Sequence, residues 1–579
     1  MTSFWQEFYC SVIAESENYQ EESVKGPIFA FLLIGSNRGL GKGEKMSSKA
    51  HYYYEIPQER DPQLVQSDIC IYGATSAGIC AAVQAAAMGK KVAILAFNKH
   101  IGGMTTSGLG ATDVGNKHVI GGLAQKFYQE IGDWYGTEKE QWFFEPHVAL
   151  KIFSSWLQNK NISLFTECRL KGVEKAANRI ISLQLEKGII FKASVFIDAT
   201  YEGDLMAKAG VSFAIGREGN EVYDELYNGI QYSAHHNFKM FVDPYRKAGD
   251  PSSGLLPFIS DTPIGTQGTA DKLIQAYNFR LCLCSNKKNS VDFSKPDNYN
   301  PENYEILYRY IQAGIFDLFG LTRGLPNQKA DHNNWGAFNS DFIGGNYGWP
   351  EGDYKTREEI FQNHYNYQMG IFYFCSHDPR LPSIIHQKTQ YWGLAADEFA
   401  DTGNWPEQIY IREARRMISD YILTENDAIG RASPEDSIGM GSYRMDSHNC
   451  KRVVHSGRTL NEGDIELSPL SPFPIPYRTI TPKRSQCTNL LVPVCISASH
   501  VAYGAIRMEP VFMILGQSAG IAASLALQKN NVVQDISYSD LEYRLHQEKQ
   551  FTFEPSETKK YRISSESGAP IDAASASRI

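Results

Sequence analysis

The chain has 579 residues, 42% of them hydrophobic and 21% charged, with a net charge of −9. That length exceeds what one hydrophobic core supports, so two or more domains are expected, and an acidic chain without a Lys/Arg run argues against a nucleic-acid partner. The apolar stretch at 27–35 is too short to span a bilayer, and Glu15, Glu17, Glu21 and Glu22 precede it where an export signal would be basic. Neither anchor nor signal is therefore expected, no membrane partner is expected, and the expected location is cytoplasmic.

In chain order, residues 1–66 read as an N-terminal extension, partly disordered, within which Met46 is an alternative start. A buried strand follows at 67–72 (SDICIY), then the turn GATSAG at 73–78, a small-residue helix (ICAAVQAAAMG) and a second strand, VAIL, at 92–95. This is a βαβ opening. Gly73 allows the sharp reversal, and Thr75, Ser76, Ala77 and Gly78 open a helix whose free N–H groups suit a pyrophosphate. Thr75 stands where the dinucleotide fingerprint has its middle glycine. Ala96 stands where the pattern has an acid for the adenosine ribose, and Asn98 is the nearest substitute. The loop NKHIGGMTTSGLGATD at 98–113 then offers His100, Gly102, Gly103, Met104, Thr105 and Thr106 to a flat ligand. A further strand ends at Ile197 and leads into IDATYEGDL, where Asp198, Ala199 and Asp204 form an acidic turn.

Between 221 and 484 the composition shifts to Asn, Tyr, Trp, Gly and Pro, which reads as an inserted α+β substrate or cap domain. One helix is expected in it, at 406–424, with Arg412, Arg415 and Arg416 either anion anchors or equally a solvated face. Cys282 and Cys284 form a lone C-x-C without partners at metal-ligand spacing, so they read as two thiols on one side of a strand. The ten cysteines are scattered and include no C-x-x-C, so neither a disulfide framework nor a metal site is expected. Late in the chain, a strand near 490 feeds a loop. Pro510 then starts a smooth helix carrying Gly516 and Gly520, whose positive end can face an electron-rich ligand. The expected architecture is a discontinuous Rossmann-like α/β domain, 67–220 plus 485–550, with the insert threaded through it and a flexible tail at 551–579. The final Ser-Arg-Ile is similar to the peroxisomal Ser-Lys-Leu address, an alternative location.

Together, GATSAG, HIGGMTTSGLGATD, FIDATYEGDL, REARRM, SIGMGSYRMDSHN and SHVAYGAIRMEP with GQSAG resemble the FAD-dependent oxidoreductases grouped with the flavin subunit of heterodisulfide reductase. The resemblance runs over most of 67–545 in the expected order. It implies FAD as cofactor and redox chemistry on a small molecule, with an unidentified electron acceptor. Iron–sulfur chemistry is not implied, because the cysteines for it are missing.

Oxidation of a carbon bearing a hydroxyl or amine requires a base, and histidine suits that role near neutral pH. His500, on the loop before the second helix, is the first candidate. His448, in MDSHN beside Asp446, is the second. His100 could touch or covalently hold the isoalloxazine. Arg507 and Glu509 read as a structural pair or a cofactor contact, and Arg280 and Arg444 as anion anchors for substrate. The aromatic, amide-rich insert suits a polyhydroxylated compound. Two alternatives stand beside this reading: a carbohydrate-acting hydrolase or lyase with paired carboxylates, and a non-catalytic nucleotide-binding relative.

Overall fold

Alternate residues of the first strand face two different cores. In β1 (Leu64–Tyr72), Ile69 and Ile71 join one hydrophobic cluster while Cys70 and Tyr72 join another. The same split recurs in β2 (Val92–Leu95), a period of two with both faces apolar, as expected of a buried parallel sheet. The computed structural model describes residues 49–58, 63–432, 434–467 and 471–553. Met46, most of the expected extension, the tail beyond 553 and the terminal Ser-Arg-Ile lie outside the described residues.

Between β1 and β2 runs α1 (Ser76–Ala87). The sheet is completed by β3 (Ile162–Phe165), the antiparallel hairpin β4 (Leu170–Ala176) and β5 (Arg179–Leu185), and β6 (Ile190–Asp198), with a short β7 (Leu490–Leu491) from late in the chain. The order is β3-β2-β1-β6-β5-β4. The first half of β6 pairs with β5, and its last turn of pleat, Phe196 and Ile197, pairs with β7. Register sets Tyr72, Leu95, Phe165 and Asp198 in one row, so the parallel strands end flush and open a common crevice beyond their carboxyl ends. This is the expected Rossmann-like α/β fold.

One face of the sheet carries α1 and α2 (Glu509–Lys529). A side chain at Gly516 would lie 2.1 Å from Ala77 O, and one at Gly520 would lie 2.5 Å from Ala81 O. Glycines four apart on α2 thus meet alanines four apart on α1, and the two helices touch backbone to backbone. α2 is long and apolar enough to cross a bilayer, but 94% of that stretch is buried inside the protein, so it is a core helix.

The 221–484 segment contributes a second sheet of five short strands, including Leu281–Cys284 and Lys329–Asn333. Cys282 and Cys284 are buried on one side of the first of these, as expected. The expected helix at 406–424 does not form. The chain there is extended and irregular, and its N–H groups bond to distant strands and loops: Tyr410 to Asn278 O, Met417 to Cys495 O, Ile418 to Ser212 O. Arg412, Arg415 and Arg416 are buried rather than solvated, and an extended backbone lets each reach a different carboxylate. The long helix of the segment is Tyr354–His377, N-capped by the Asp353 carboxylate.

Candidate functional site

The crevice at the strand ends is lined by Gly73, Ala74 and Thr75 after β1, by Ala96, Phe97 and Asn98 after β2, and by Thr200, Tyr201, Glu202 and Asp204 after β6. His100, Gly103, Ser107 and Glu407 complete its wall. Gly73 has φ +106°, and a side chain there would lie 2.6 Å from the Ala199 carbonyl carbon, so both the turn and the contact with β6 demand glycine.

Thr75 explains its own departure from the fingerprint. Its hydroxyl accepts from Gly78 N (3.3 Å) and donates to Ala199 O (2.7 Å). The residue caps α1 and ties it to β6. The first turn of α1 contains no acidic residue, so the helix dipole and its free N–H groups remain available to an anion. At the other end of the crevice, Asn98 Oδ1 is buried and has no hydrogen-bond partner among the described residues. An orphaned acceptor just past β2 fits a ribose hydroxyl, and Ala96 beside it leaves the room an acid would fill. These features fit FAD. Replacing Asn98 by Ala is expected to weaken FAD binding about three- to tenfold, the worth of one neutral hydrogen bond. Reconstitution of apoprotein checks this, and unchanged affinity would remove Asn98 from the ribose.

Acid groups in the crevice are held in different states. Asp204 is paired with Arg357 (2.6 Å) and Arg415 (2.7 Å), which hold it below the usual carboxylate range against the effect of burial. Glu202 is raised by burial and by the nearby Asp204 charge, and Tyr52 donates a 3.2 Å hydrogen bond to it. A carboxyl more readily neutral is compatible with a neighbouring pyrophosphate. Tyr52 stacks on Phe97 at 4.7 Å, so residues just before β1 cover this end.

Several expected cofactor residues sit elsewhere. Asp198 accepts from Thr200 N, Thr200 Oγ1 and Met206 N, so it organises its own turn and does not line the crevice; burial pushes its pKa up to about 6. Gly516 and Gly520 pack against the backbone of α1. Met104, Thr105 and Thr106 turn inward. Thr105 Oγ1 donates to Glu509 Oε2 (2.7 Å), Thr106 Oγ1 to Ile101 O (2.5 Å), and Met104 N to Tyr201 OH (2.9 Å). Gly102 N donates to Ala74 O, clasping the two glycine-rich turns together. His100 lines the crevice with Nε2 on Asp401 (2.8 Å). Glu509, at the start of α2, gathers Ser76, Thr105 and Tyr201 hydroxyls and is a structural hub.

His500 is fully buried. Its Nδ1 is 2.7 Å from Glu413 and its Nε2 is 3.0 Å from Ser447 Oγ, so neither nitrogen is open to a substrate. Burial, Arg416 and Arg217 push its pKa down to about 3, and the imidazole is neutral. His448 differs. Its Nδ1 lies 2.7 Å from Asp341 and its Nε2 lies 3.7 Å from Asp446. Arg412 compensates Asp341 (2.9 Å) and Arg507 compensates Asp446 (3.0 Å). Burial and Arg412 pull the His448 pKa down, but Asp341 and Asp446 outweigh them and raise it above the ordinary value. Arg507 joins this group to the crevice, since Glu509, two residues on, bonds Ser76 at the α1 N-terminus.

The expected anion anchors are engaged. Arg280 is buried and held by Asp331 and Asp113, and Arg444 is paired with Glu466. Tyr201 and Glu202 were within reach of sequence reasoning, because they stand in the quoted IDATYEGDL. Glu413 stands likewise in the quoted REARRM, whereas Asp341 and Glu407 carried no local signal.

A family model described as FAD dependent oxidoreductase matches residues 68–545. No curated protein matches the sequence significantly. Among solved structures, L-amino acid deaminase from Proteus vulgaris is 16% identical, with 28% of this chain and 54% of that chain covered and a TM-score of 0.23. L-proline dehydrogenase from P. horikoshii is 18% identical over 29% and 27%, with a TM-score of 0.17. Thioredoxin reductase from T. acidophilum is 19% identical over 23% and 34%, with a TM-score of 0.16. The chain thus spans about half or less of these structures, and overlaps so partial carry no information on substrate. The match over 68–545, on a crevice whose turn, helix end and orphaned acceptor fit the cofactor, identifies the chain as a member of the FAD dependent oxidoreductase family.

Proposed function

We propose that this FAD-dependent oxidoreductase acts on a small polar molecule, and that His448 takes the proton released when that molecule is oxidised. Bound FAD supplies the hydride acceptor. The reading rests on one observation: an imidazole held between Asp341 and Asp446, each with its own arginine, joined through Arg507 to the start of α2. Asp341 favours the tautomer with a proton on Nδ1, which leaves Nε2 as the basic atom. His448 and Arg507 help keep Asp446 ionised, so its carboxylate stabilises a protonated ring without itself taking a proton. Arg280 and Arg444 are not assigned to substrate, because their charges are already met within the protein. His500 is assigned a supporting role, fixing Glu413 and Ser447.

The test is anaerobic. Purified protein should carry flavin absorbance, and a screen of hydroxy acids, sugars and polyols should bleach it with at least one compound. A protein that holds no flavin after reconstitution would instead support the non-catalytic alternative. Flavin that dithionite reduces but no polar compound bleaches would sink the substrate class.

A further inference from the structure

Two histidines adjacent in the chain share one buried carboxylate. His235 Nδ1 lies 2.9 Å from Asp464 Oδ1, and His236 Nδ1 lies 3.0 Å from Asp464 Oδ2. The donor atoms of all three residues lie within 4.8 Å of one another. We propose that His235, His236 and Asp464 form a binding site for a divalent transition-metal ion of the zinc type.

The chemistry is that of an N,N,O site with an open position. An imidazole lone pair facing a carboxylate oxygen at hydrogen-bond distance needs a proton or a cation between them. Here that requirement occurs twice on one carboxylate. One dication can replace both bridging protons, and zinc-type ions take two imidazoles and a carboxylate at about 2.0–2.2 Å. Ligand atoms around a tetrahedral ion then stand about 3.3 Å apart, so each nitrogen–oxygen spacing, 2.9 and 3.0 Å, needs to open by only a few tenths of an ångström. Borderline ions of this kind accept imidazole, whereas magnesium and calcium prefer all-oxygen sites.

The outer shell supports the same reading. The second nitrogen of His235, Nε2, lies 2.8 Å from Glu466 Oε2, the carboxylate–histidine arrangement that orients a metal-bound ring. Arg444 in turn pairs with Glu466. The backbone under the site is fixed. His236 O accepts from the side-chain amides of Asn449 (3.2 Å) and Asn461 (3.1 Å), and Asn237 bonds both to Ser233 O and to Asn461 O. The segment leading to Asp464 and the loop bearing the histidines are therefore held together by these bonds. Asp464 is 4% exposed at its side chain and His235 is 46% exposed, so the site is anchored in the interior and opens to solvent. The other convergent group, Glu145, His147 and Glu398, is different in kind, because Lys329 Nζ already lies within 2.8 Å of both its carboxylates.

The experiment uses the FAD-loaded full chain, freed of metal by chelator and titrated with Co²⁺ and Zn²⁺. One equivalent of Co²⁺ should bind, with a visible d–d spectrum displaced by Zn²⁺, and binding should release protons and tighten with rising pH. His235→Ala changes the most exposed ligand, and retained FAD content shows that the variant is folded. It should weaken the ion more than tenfold. Glu466→Gln should weaken it about ten- to hundredfold through the outer shell. Absence of a saturable equivalent in wild type overturns the site, as does equal Co²⁺ affinity in wild type and a folded His235→Ala.

Discussion

His448→Gln is expected to keep its FAD and to reduce it about 10²–10⁴-fold more slowly with substrate than wild type, the usual worth of a positioned general base. Glutamine can still donate toward Asp341, so the Arg412–Asp341 and Arg507–Asp446 pairs stay in place while the basic nitrogen is lost. The pH dependence has a definite sign. Asp341 and Asp446 raise the His448 pKa, so the competent neutral ring accumulates only above the ordinary histidine range. Flavin reduction should rise with pH and level off on the alkaline side of 6.5, the ordinary value for histidine. In His448→Gln that limb should vanish. Asp341→Asn keeps a hydrogen-bonding side chain but removes a charge, so its limb should move to lower pH. Here Asp341 acts as a positioning residue, and the shifted limb distinguishes that from loss of packing. Stopped-flow reduction over pH decides the matter. A His448→Gln profile superimposable on wild type would reassign the proton to another group.

What was legible in the sequence follows how local each signal is. The strand–turn–helix at 64–87 was readable because its period, its glycines and its small-residue helix all lie in one short stretch. The meaning of Thr75 was not, because its partner Ala199 is 124 residues away. His448 was noticed beside Asp446, but the closer carboxylate is Asp341, 107 residues distant. His500 looked available on a loop, and only the fold brings Glu413 and Ser447 onto its two nitrogens. Misreading 406–424 had the same origin. Its arginines suggested a solvated face, yet Arg416 is fully buried against Glu413 and Glu218. The real helix at Tyr354–His377 buries Arg357, Phe361, His364, Gln368, Phe372 and Cys375. That is helical spacing carried half by polar side chains, Arg357, His364 and Gln368, which an apolar periodicity does not register. His235 and His236 passed unremarked for a related reason: their third ligand lies more than 200 residues on.

Lys329→Met is expected to be among the most destabilising single changes in the protein. Lys329 Nζ lies 2.6 Å from Glu145 Oε1, 2.8 Å from Glu398 Oε1 and 2.8 Å from Asp397 Oδ1. The Lys329 side chain is fully buried, and those of Glu145 and Glu398 are 2% and 1% exposed. Burial alone would lower the lysine pKa, but the carboxylates reverse this and hold it well above the usual range, so the ammonium is charged throughout the physiological range. Methionine fills similar volume and leaves the two buried carboxylates without their ammonium partner, with His147 Nδ1 still 2.7 Å from Glu398. Leaving a buried charge uncompensated costs about 3–5 kcal/mol. The consequence is also architectural. Glu145 immediately precedes the helix Pro146–Trp156, while Lys329 opens a strand of the second sheet. The ion group therefore ties the 221–484 segment to a helix outside it. Thermal unfolding followed by intrinsic flavin fluorescence should show an early release of FAD in Lys329→Met. In Lys329→Arg the charge is kept, and most of the stability should remain. The double variant Lys329→Met with Glu398→Gln removes one of the stranded charges and should recover part of the loss. If Lys329→Met and wild type release FAD at the same temperature, the carboxylates have found protons or solvent, and the group does not hold the two parts together.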